Sequence, residues 1–478
     1  MPPVIKSWLH SGGSLQRITA LALAVLALTS IAFAQTQTAG PDFNAARDEA
    51  TRFLVDLVRM DTSNPPGNES QAAQYIQGVL KKEGIDSELL EPVPGRASIL
   101  ARLRGDGTKR PVLIMGHIDV VPVDRSHWTT EPFTGEVNDG ILHGRGALDD
   151  KAMVSANLEV FLQLHRLHVP LARDVIFLAE ASEEMSSPAG MATLVDRYWD
   201  KLNCEFALNE GGVSLLRDGR LPYLGVSTAE KLPRGITLRA EGSSGHGSVP
   251  RPDNAVTHLA TAVAKAGNWV TPSRLNETTR AFFEGLAKIS PPEEAAWYRN
   301  VEDPKVQEIL RVKKPVYYSM LRTSVVPTML KAGFKSNVIP PTAEGVLDVR
   351  ALPDENLEKF RASLAALIND PQIKIVAEDT ALSMVPAPPS SIHTEMFEAL
   401  QSAQKQVFSG SITLPVMQTG ATDSSFLRVR GVQAYGLAVP RTEQENATVH
   451  GNDERVETAQ LGNLTRLIYL AVTRVGTK

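Results

Sequence analysis

The sequence predicts an α/β fold in which a smaller domain interrupts a larger one. Two observations lead to this prediction. Short apolar segments alternate with helical segments in the first half of the chain, and this pattern changes near residue 229. Strands that alternate with helices indicate a central sheet that is largely parallel. The length of 478 residues suits two or three domains.

The larger domain is predicted to comprise residues 42–228 and 385–478. Its clearest strand is PVLIMGHID, residues 111–119, which is almost continuously apolar, as expected of a strand buried on both faces. The segments DVIFLAEASEE and EFALNEGG predict two more buried strands. Between the first two of these strands, residues 150–167 have the spacing of apolar side chains that is typical of a helix.

The smaller domain is predicted over residues 229–384, where the order of elements becomes strand, helix, strand, strand, helix, strand. This order is typical of a ferredoxin-like α+β domain. We expect both middle strands within AGFKSNVIPPTAEGVLDVRAL, residues 332–352. The helical stretch at residues 275–312 is interpreted as an insertion into this domain.

The N-terminal residues 1–34 have the pattern of a signal peptide. Lys6 and Arg17 precede the uncharged run 18–34, which ends in the small-residue motif Ala-Phe-Ala. An uncleaved membrane anchor is the alternative, but the run is shorter than the roughly 20 residues that a spanning helix needs. We therefore expect cleavage after Ala34, a periplasmic or secreted protein, and no stable membrane span in the mature chain.

Composition argues against several other classes of protein. The formal net charge is −5 and no basic stripe is present, so nucleic acid and anionic membrane surfaces are not expected partners. The single cysteine, Cys204, excludes a disulfide within the chain. The motif G-x-S-x-G of serine hydrolases is absent from the sequence.

Acidic and histidine side chains follow the ends of the predicted strands, where ligands bind in parallel α/β sheets. Each of these side chains can also be explained by a purely structural role: a histidine hydrogen-bonded to a loop, an acidic residue that caps a helix, or a solvated acidic loop. The candidates are His117 with Asp119, Asp149 with Asp150, Glu183 with Glu184, Glu210, and His450.

Taken together, these side chains favour a site for metal ions. Asp119 is placed to orient the imidazole of His117. The adjacent carboxylates of Glu183 and Glu184 repel each other unless a cation lies between them or one is protonated. Oxygen and nitrogen donors without a thiolate suit two hydrolytic divalent metals, most often zinc, with Co²⁺ or Mn²⁺ as substitutes.

The motifs GHIDVVP, GRGALDDK, SEE, NEGG, SGHGS, KSNVIP, LDVR and VHGNDE occur in this order and span nearly the whole expected mature chain. The sequence thereby resembles the co-catalytic zinc metallohydrolases, which include acetylornithine deacetylase, succinyl-diaminopimelate desuccinylase, aminoacylase, glutamate carboxypeptidase and carboxypeptidase S. The resemblance implies a di-zinc peptidase domain interrupted by a lid and dimerisation domain, and a homodimer formed through the inserted domain.

The resemblance also implies how two zinc ions per subunit would be held. Asp149 would bridge both ions. His117 and Glu210 would bind different ions, and Glu184 and His450 would complete one site each. The peptide bond after Asp149 is expected to be cis.

Further roles follow from the same resemblance. Glu183 would be the general base and then the proton donor to the leaving amine. His246 would polarise the substrate carbonyl, often from the partner subunit. Asn337 and Arg350 would grip the substrate carboxylate, and Gly420 would lie in the substrate loop.

We therefore expect a hydrolase that cleaves a peptide or N-acyl-amino-acid amide bond next to a free carboxylate. Its expected partner is a small peptide or an N-acyl amino acid. The alternative is a catalytically silent protein that binds peptides or amino acids on the same scaffold.

Overall fold

The computed structural model describes residues 40–185, 187–377 and 384–477, so the predicted signal peptide lies outside the described residues. Among the described helices, none combines the length and the apolar character needed to cross a membrane. The strands, in chain order, are β1 (Ser87–Val93), β2 (Arg96–Leu103), β3 (Val112–His117), β4 (Glu136–Asn138), β5 (Ile141–His143), β6 (Val175–Glu180), β7 (Phe206–Asn209), β8 (Tyr223–Glu230), β9 (Leu232–Pro233), β10 (Ile236–Glu241), β11 (Gly245–His246), β12 (Ser324–Ala332), β13 (Val338–Ile339), β14 (Thr342–Ala351), β15 (Ile373–Ala377), β16 (Ile412–Gln418), β17 (Gln433–Gly436) and β18 (Arg455–Glu457).

The helices match the predicted helical segments to within a few residues where a prediction was made. They are α1 (Phe43–Val58), α2 (Ser70–Lys82), α3 (Lys151–Arg166), α4 (Met191–Arg197), α5 (Trp199–Leu202), α6 (Ala255–Gly267), α7 (Glu277–Ile289), α8 (Pro292–Arg299), α9 (Pro304–Lys313), α10 (Pro315–Met320), α11 (Leu357–Ile368), α12 (Glu395–Val407), α13 (Ser424–Val429), α14 (Glu443–Asn446) and α15 (Thr458–Gly476).

The large sheet has eight strands in the order β1-β2-β6-β3-β7-β17-β8-β16. The central strands β6, β3, β7 and β17 are parallel to one another, and β8 is parallel to β16. The pairs β1–β2, β2–β6 and β17–β8 are antiparallel. The predicted mixed, largely parallel sheet is thus confirmed, and the carboxyl ends of β3, β6 and β7 meet at one edge.

Helices cover both faces of this sheet, which explains the unbroken apolar sequence of its central strands. All six residues of β3 are buried. Val112 and Ile114 belong to the core shared with α1, α3, α12 and α15. Leu113 and Met115 belong to the opposite core, against α4.

A second, antiparallel sheet has the order β12-β14-β10-β15, and β9 pairs with β14. The chain order β10-α6-β12-β14-α11-β15 is the predicted strand–helix–strand–strand–helix–strand order. The predicted position of the first middle strand was wrong. We expected it within residues 332–352, but β12 ends at Ala332, and the residues between β12 and β14 contribute only the short β13. Pro327 obscured β12, since proline removes a ladder hydrogen bond and is tolerated at sheet edges and bulges. The register of β12 shifts between Pro327 and Met329.

The helical insertion, α7 to α10, packs on the large sheet. Phe282 and Phe283 of α7 share an apolar core with Leu414 and Val416 of β16. The hydroxyl groups of Thr228 at the end of β8 and Thr278 on α7 lie 2.8 Å apart. The insertion therefore covers β16, an edge strand that would otherwise be open to pairing with another chain.

Candidate metal centre

His117 is the last residue of β3 and lies almost fully buried at the carboxyl edge of the large sheet. Its Nδ1 lies 2.9 Å from the main-chain oxygen of Asp119 and 3.4 Å from the Asp119 carboxylate. These acceptors favour the tautomer with a proton on Nδ1, which leaves Nε2 free to bind a metal. His117 Nε2 points at Asp149 Oδ1, 3.1 Å away.

Asp119 also holds the segment that carries the two glutamates. The N–H groups of Glu183 and Glu184 donate to its two carboxylate oxygens at 3.0 and 3.2 Å, and Asn64 Nδ2 donates at 2.8 Å. Burial alone would raise the pKa of Asp119, but hydrogen bonds and the nearby imidazole of His117 lower it below the usual range. A single buried carboxylate thus fixes both an imidazole and the Glu183–Glu184 segment.

The loop that carries Asp149 is held from the far end of the chain. Glu454 is fully buried, and its Oε1 accepts from the N–H groups of Leu148 and Asp149 at 2.7 and 3.0 Å. Its Oε2 accepts from Gly146 N–H at 3.0 Å and from Arg145 Nη1 at 2.7 Å. The peptide bond after Asp149 is cis, as the resemblance implied.

His450 lies four residues before Glu454 and reaches the other side of Asp149. Its Nε2 is 2.9 Å from Asp149 Oδ2 and 3.2 Å from Glu184 Oε1. His450 has a φ of +56°, a left-handed conformation that is uncommon for residues other than glycine. Such conformations occur where the surrounding structure fixes a functional side chain.

Two groups of donor atoms are close enough to hold a cation, since the atoms in each lie within 4.8 Å of one another. One group contains His117, Asp149 and Glu184, and the other contains His117, Glu183 and Glu210. His450 adds to the first group through its contacts with Asp149 and Glu184. The geometry places His117 beside Glu210, so it favours one shared ion for this pair, whereas the sequence-based expectation gave them different ions.

The electrostatics of the centre call for a cation. Burial and the neighbouring carboxylate of Glu210 raise the pKa of Glu183 well above its usual value. Burial and the nearby Asp149 raise the pKa of Glu210 to about 8. Contact with Asp149 raises the pKa of His450 to about 10. The raised pKa values of these two carboxyl groups and of the His450 imidazole all favour the protonated forms. They indicate that the centre has too little positive charge to balance its carboxylates.

The donor set also fits a metal ion sterically and chemically. Glu184 Oε1 is buried and accepts no hydrogen bond among the described residues, although His450 Nε2 lies nearby. A buried carboxylate oxygen without a partner is costly unless it coordinates a cation. The centre supplies imidazole nitrogen and carboxylate oxygen, the donors that zinc and related divalent metals accept.

The other predicted site residues belong to different parts of the structure. His246 on β11 pairs with Val338 on β13, and the carbonyl of Asn337 accepts from Gly247 N–H at 2.8 Å. Arg350 on β14 forms an ion pair with Asp348 at 2.8 Å. Among the described residues, no hydrogen bond or ion pair joins His246, Asn337 or Arg350 to the five predicted ligands.

Gly420 lies exposed in the loop between β16 and α13, and its assignment to a substrate loop stays a prediction. Glu230 Oε2 anchors this loop by accepting from the N–H and hydroxyl groups of Thr422, both at 2.8 Å. Arg428 forms a buried ion pair with Glu230 at 2.8 Å. The base of the loop is therefore fixed, while Gly420 faces solvent.

Sequence reasoning overlooked three residues that organise the centre: Asn64, Glu454 and Arg441. Glu454 ends the motif VHGNDE, and its position four residues after His450 was a usable signal. Asn64 lies in a turn-rich segment, SNPPGNES, with no distinguishing pattern. Arg441 lies in no motif, and only the tertiary structure places it near Asp149 and Glu210, whose charges act on its guanidinium.

Comparison with known proteins agrees with this geometry. The chain is 26% identical over 446 residues to the human N-fatty-acyl-amino acid synthase/hydrolase PM20D1, covering 90% of this chain and 88% of that protein. It is 31% identical over 375 residues to a probable carboxypeptidase S-like 2 from Dictyostelium discoideum, covering 76% of this chain and 71% of that protein.

A similar fold occurs in the crystal structure of the M20 family metallo-carboxypeptidase Sso-CP2 from Sulfolobus solfataricus. The TM-score is 0.70 at 18% sequence identity, with 89% of this chain and 99% of that chain covered. The family model described as Peptidase family M20/M25/M40 matches residues 113–474. That range contains the whole candidate metal centre. The chain therefore belongs to Peptidase family M20/M25/M40 and is a metal-dependent hydrolase.

Proposed function

We propose that this hydrolase cleaves the amide bond of an N-acyl amino acid or a short peptide, next to a free carboxylate, and that it uses two zinc ions per subunit. Co²⁺ or Mn²⁺ would serve as substitutes. The name of the human relative refers to N-fatty-acyl amino acids, and that of the Dictyostelium relative refers to a carboxypeptidase. A ligand set of imidazoles and carboxylates without thiolate supports zinc in a hydrolytic role.

The observation that carries this proposal is the different placement of the adjacent carboxylates Glu183 and Glu184. Asp119 fixes the main chain of both. Glu184 Oε1 faces His450, which suits a ligand. Burial and the neighbouring carboxylate of Glu210 raise the pKa of Glu183 above its usual value, which favours uptake of a proton by this carboxylate.

Bound divalent metals would polarise the substrate carbonyl and make water a stronger nucleophile. The chain's own residues would carry the remaining tasks. Glu183 would accept a proton from the attacking water and pass it to the nitrogen of the leaving amine. Asp119 would keep the Glu183 carboxylate in place during both transfers.

The smaller domain, which carries β11, β13 and β14, would complete the site when it closes over the substrate. His246 would donate a hydrogen bond to the carbonyl oxygen as negative charge develops there. Asn337 and Arg350 would bind the carboxylate, and the loop at Gly420 would border the substrate. The exposed position of His246 is compatible with such a movement, and lid closure is a common way to exclude water.

A panel of dipeptides and N-acyl amino acids, measured together with the metal content of the enzyme, tests this function. We expect turnover that a chelator abolishes and that zinc restores, and we expect substrates with a blocked carboxylate to be cleaved poorly. Cleavage that persists in metal-free enzyme would refute the proposal. Equal turnover of blocked and free substrates would refute the part that concerns the carboxylate.

We also propose that the enzyme is a homodimer assembled through the second sheet. The edge strand β12 and the turn after it expose Met329 at 66%, Leu330 at 65% and Phe334 at 81%. An exposed apolar edge strand is a surface on which another chain can pair. Sedimentation should show a dimer for the unaltered protein and a monomer for Leu330→Glu, and a monomeric unaltered protein would contradict the proposal.

Export is a further part of the proposal and depends on residues 1–34 alone. The uncharged run and its Ala-Phe-Ala end support cleavage after Ala34. Sequencing the N-terminus of protein recovered from its native host should give Gln35 as the first residue. A retained Met1 would contradict this part without affecting the rest.

A further inference from the structure

A cavity of about 180 Å³ lies beside the metal centre. Asp149 and Glu210 line it together with the apolar residues Leu148, Leu437 and Val439. Its volume is below the roughly 300–1,000 Å³ of pockets that enclose a whole drug-sized ligand. The cavity therefore suits one end of a substrate whose scissile bond lies at the metal centre.

Arg441 brings a positive charge to this cavity, and its main chain is fixed on both sides. Its N–H donates to Ser214 O at 2.9 Å, and its carbonyl accepts from Leu216 N–H at 2.8 Å. The guanidinium donates from Nε to Asn446 Oδ1 at 2.9 Å and from Nη1 to Val439 O at 3.3 Å. Both of these acceptors are neutral, so the side chain is held in position while its charge is left uncompensated.

Arg441 is partly buried and, unlike the buried arginines Arg145 and Arg428, has no acidic partner in the part of the chain that the structure describes. Arg145 forms an ion pair with Glu454, and Arg428 forms one with Glu230. Within the described ranges, no carboxylate lies within 4.0 Å of the Arg441 guanidinium. Asp149, Glu210, Glu454 and Asp150 act on it only from a greater distance. Asp149 and Glu210 would be neutralised as metal ligands by the bound cations, and Glu454 is already paired with Arg145.

Arg350, by contrast, already has a partner. Its Nε and Nη2 donate to the two carboxylate oxygens of Asp348 at 2.8 and 3.3 Å. This two-point ion pair uses the side of the guanidinium that is best shaped to bind a carboxylate. Arg350 would have to give up Asp348 to bind a substrate in the same way, whereas Arg441 would not.

We propose that Arg441 binds the free carboxylate of the substrate, with Asn337 and Arg350 in a secondary role, and that Arg441 is the principal determinant of the preference for free-acid substrates. This inference rests on the proposed function. The amino-acid end of the substrate enters the cavity, where its carboxylate receives hydrogen bonds from the Nη2 group of Arg441. The apolar lining residues contact the amino-acid side chain, and the acyl group extends away from the cavity.

The test compares the turnover of an N-acyl amino acid with that of its carboxamide, which has the same shape but no negative charge. The ratio of the two kcat/KM values measures the preference for the carboxylate. The variants are Arg441→Met, Arg441→Lys and Arg350→Met, with Arg430→Met as the control. Arg430 is an exposed arginine that stacks on Trp199. Melting temperature and metal content are measured for each variant.

We expect the preference ratio to fall about 10- to 100-fold in Arg441→Met, the usual worth of a charged hydrogen bond. Arg441→Lys should recover part of it, Arg350→Met should lower it less than Arg441→Met does, and Arg430→Met should keep it. A larger fall in Arg350→Met than in Arg441→Met would overturn the inference. Loss of turnover on both substrates to the same extent, or an unchanged ratio, in Arg441→Met would overturn the inference. Absence of metal-dependent turnover in the unaltered enzyme would instead refute the proposed function. In that case, calorimetric binding of the N-acyl amino acid to the unaltered protein and to Arg441→Met still tests the role of Arg441.

Discussion

The candidate metal centre and the two-stranded ladder of β11 and β13 differ in how they hold the side chains that we propose act in catalysis. The ligands of the metal centre follow strand ends of a buried sheet, and two fully buried carboxylates, Asp119 and Glu454, fix the main chain that carries them. His246 lies on β11 and Asn337 lies next to β13; these two strands form a separate two-stranded ladder, and both residues are exposed. The main chain of the first region is held in place by buried hydrogen bonds, whereas the side chains of the second region are open to solvent.

This difference fits the tasks that we propose for the two regions. A metal site needs several donors fixed within a few tenths of an ångström, and rigid elements with buried hydrogen bonds provide this. A group that contacts the substrate must leave room for entry and release, so it belongs on a surface that can move. The comparison predicts that substitutions in the two regions will have different signatures.

The largest effect is expected from Glu183→Ala. Loss of the proton acceptor should lower kcat roughly a thousandfold, since general acid–base groups contribute about 10²- to 10⁴-fold. Metal content, measured by mass spectrometry, should remain that of the unaltered enzyme.

Glu184→Ala is the matched variant, because it alters the neighbouring carboxylate on the same segment. It should lose metal as well as activity. If Glu183→Ala loses metal to the same extent, then Glu183 is a ligand, as its proximity to His117 and Glu210 would allow.

Glu454→Ala should come next, because it leaves Arg145 without its buried partner and releases the loop of Asp149. Removing one member of a buried ion pair costs about 3–5 kcal/mol. We expect a lower free energy of unfolding in denaturant titrations, together with weaker metal binding. Glu443→Ala, at an exposed carboxylate eleven positions earlier in the chain, serves as the control and should change neither quantity.

His246→Ala should have a smaller effect that is confined to turnover. Loss of one hydrogen-bond donor to the developing oxyanion costs roughly a hundredfold in kcat. Because His246 is exposed and not bonded to the ligands, metal content and melting temperature should not change. A loss of metal in this variant would break the distinction between the two regions.

Mixing His246→Ala with Glu183→Ala enzyme tests whether His246 acts across the dimer. A mixed dimer contains one site with an intact Glu183, and that site would receive His246 from the other subunit. Activity that appears on mixing supports this arrangement. Two inactive enzymes that stay inactive after subunit exchange would place His246 in the same subunit as its site.

The smallest effect concerns pH and the metal centre alone. In the metal-free protein, the contact with Asp149 raises the pKa of His450 to about 10, so His450 is protonated at neutral pH. Metal ligands must be deprotonated, so binding releases this proton. The apparent metal affinity should therefore rise with pH below about 10, by about tenfold per unit for each proton released.

Calorimetry of metal binding in buffers of different ionisation enthalpy counts the released protons. His450→Gln should release fewer protons than the unaltered protein, and His246→Ala should release the same number. Metal affinity that does not depend on pH would show that His450 is already neutral in the metal-free state.

Much of the fold could be predicted because its physical causes are local. The apolar runs that become β3 and β6 report burial on both faces, and the helical spacing over residues 42–60 reports one buried face. Prediction failed at β12, where Pro327 and a shifted register disguise an edge strand whose position depends on pairing with β14. The motif that ends in Glu454 was visible, but its bonds to residues 146–149 were not, because they join positions about 305 residues apart.

The sequence by itself determined the alternating α/β pattern, the order of the motifs and the kinds of atoms available to bind a metal. These properties depend on side-chain chemistry and short-range spacing. Only the tertiary structure decided that His117 lies beside Glu210, that Arg350 already has an acidic partner, and that Arg441 faces the cavity without one. Such properties depend on distances between segments far apart in the chain, and those distances are set by how the sheet and its helices pack.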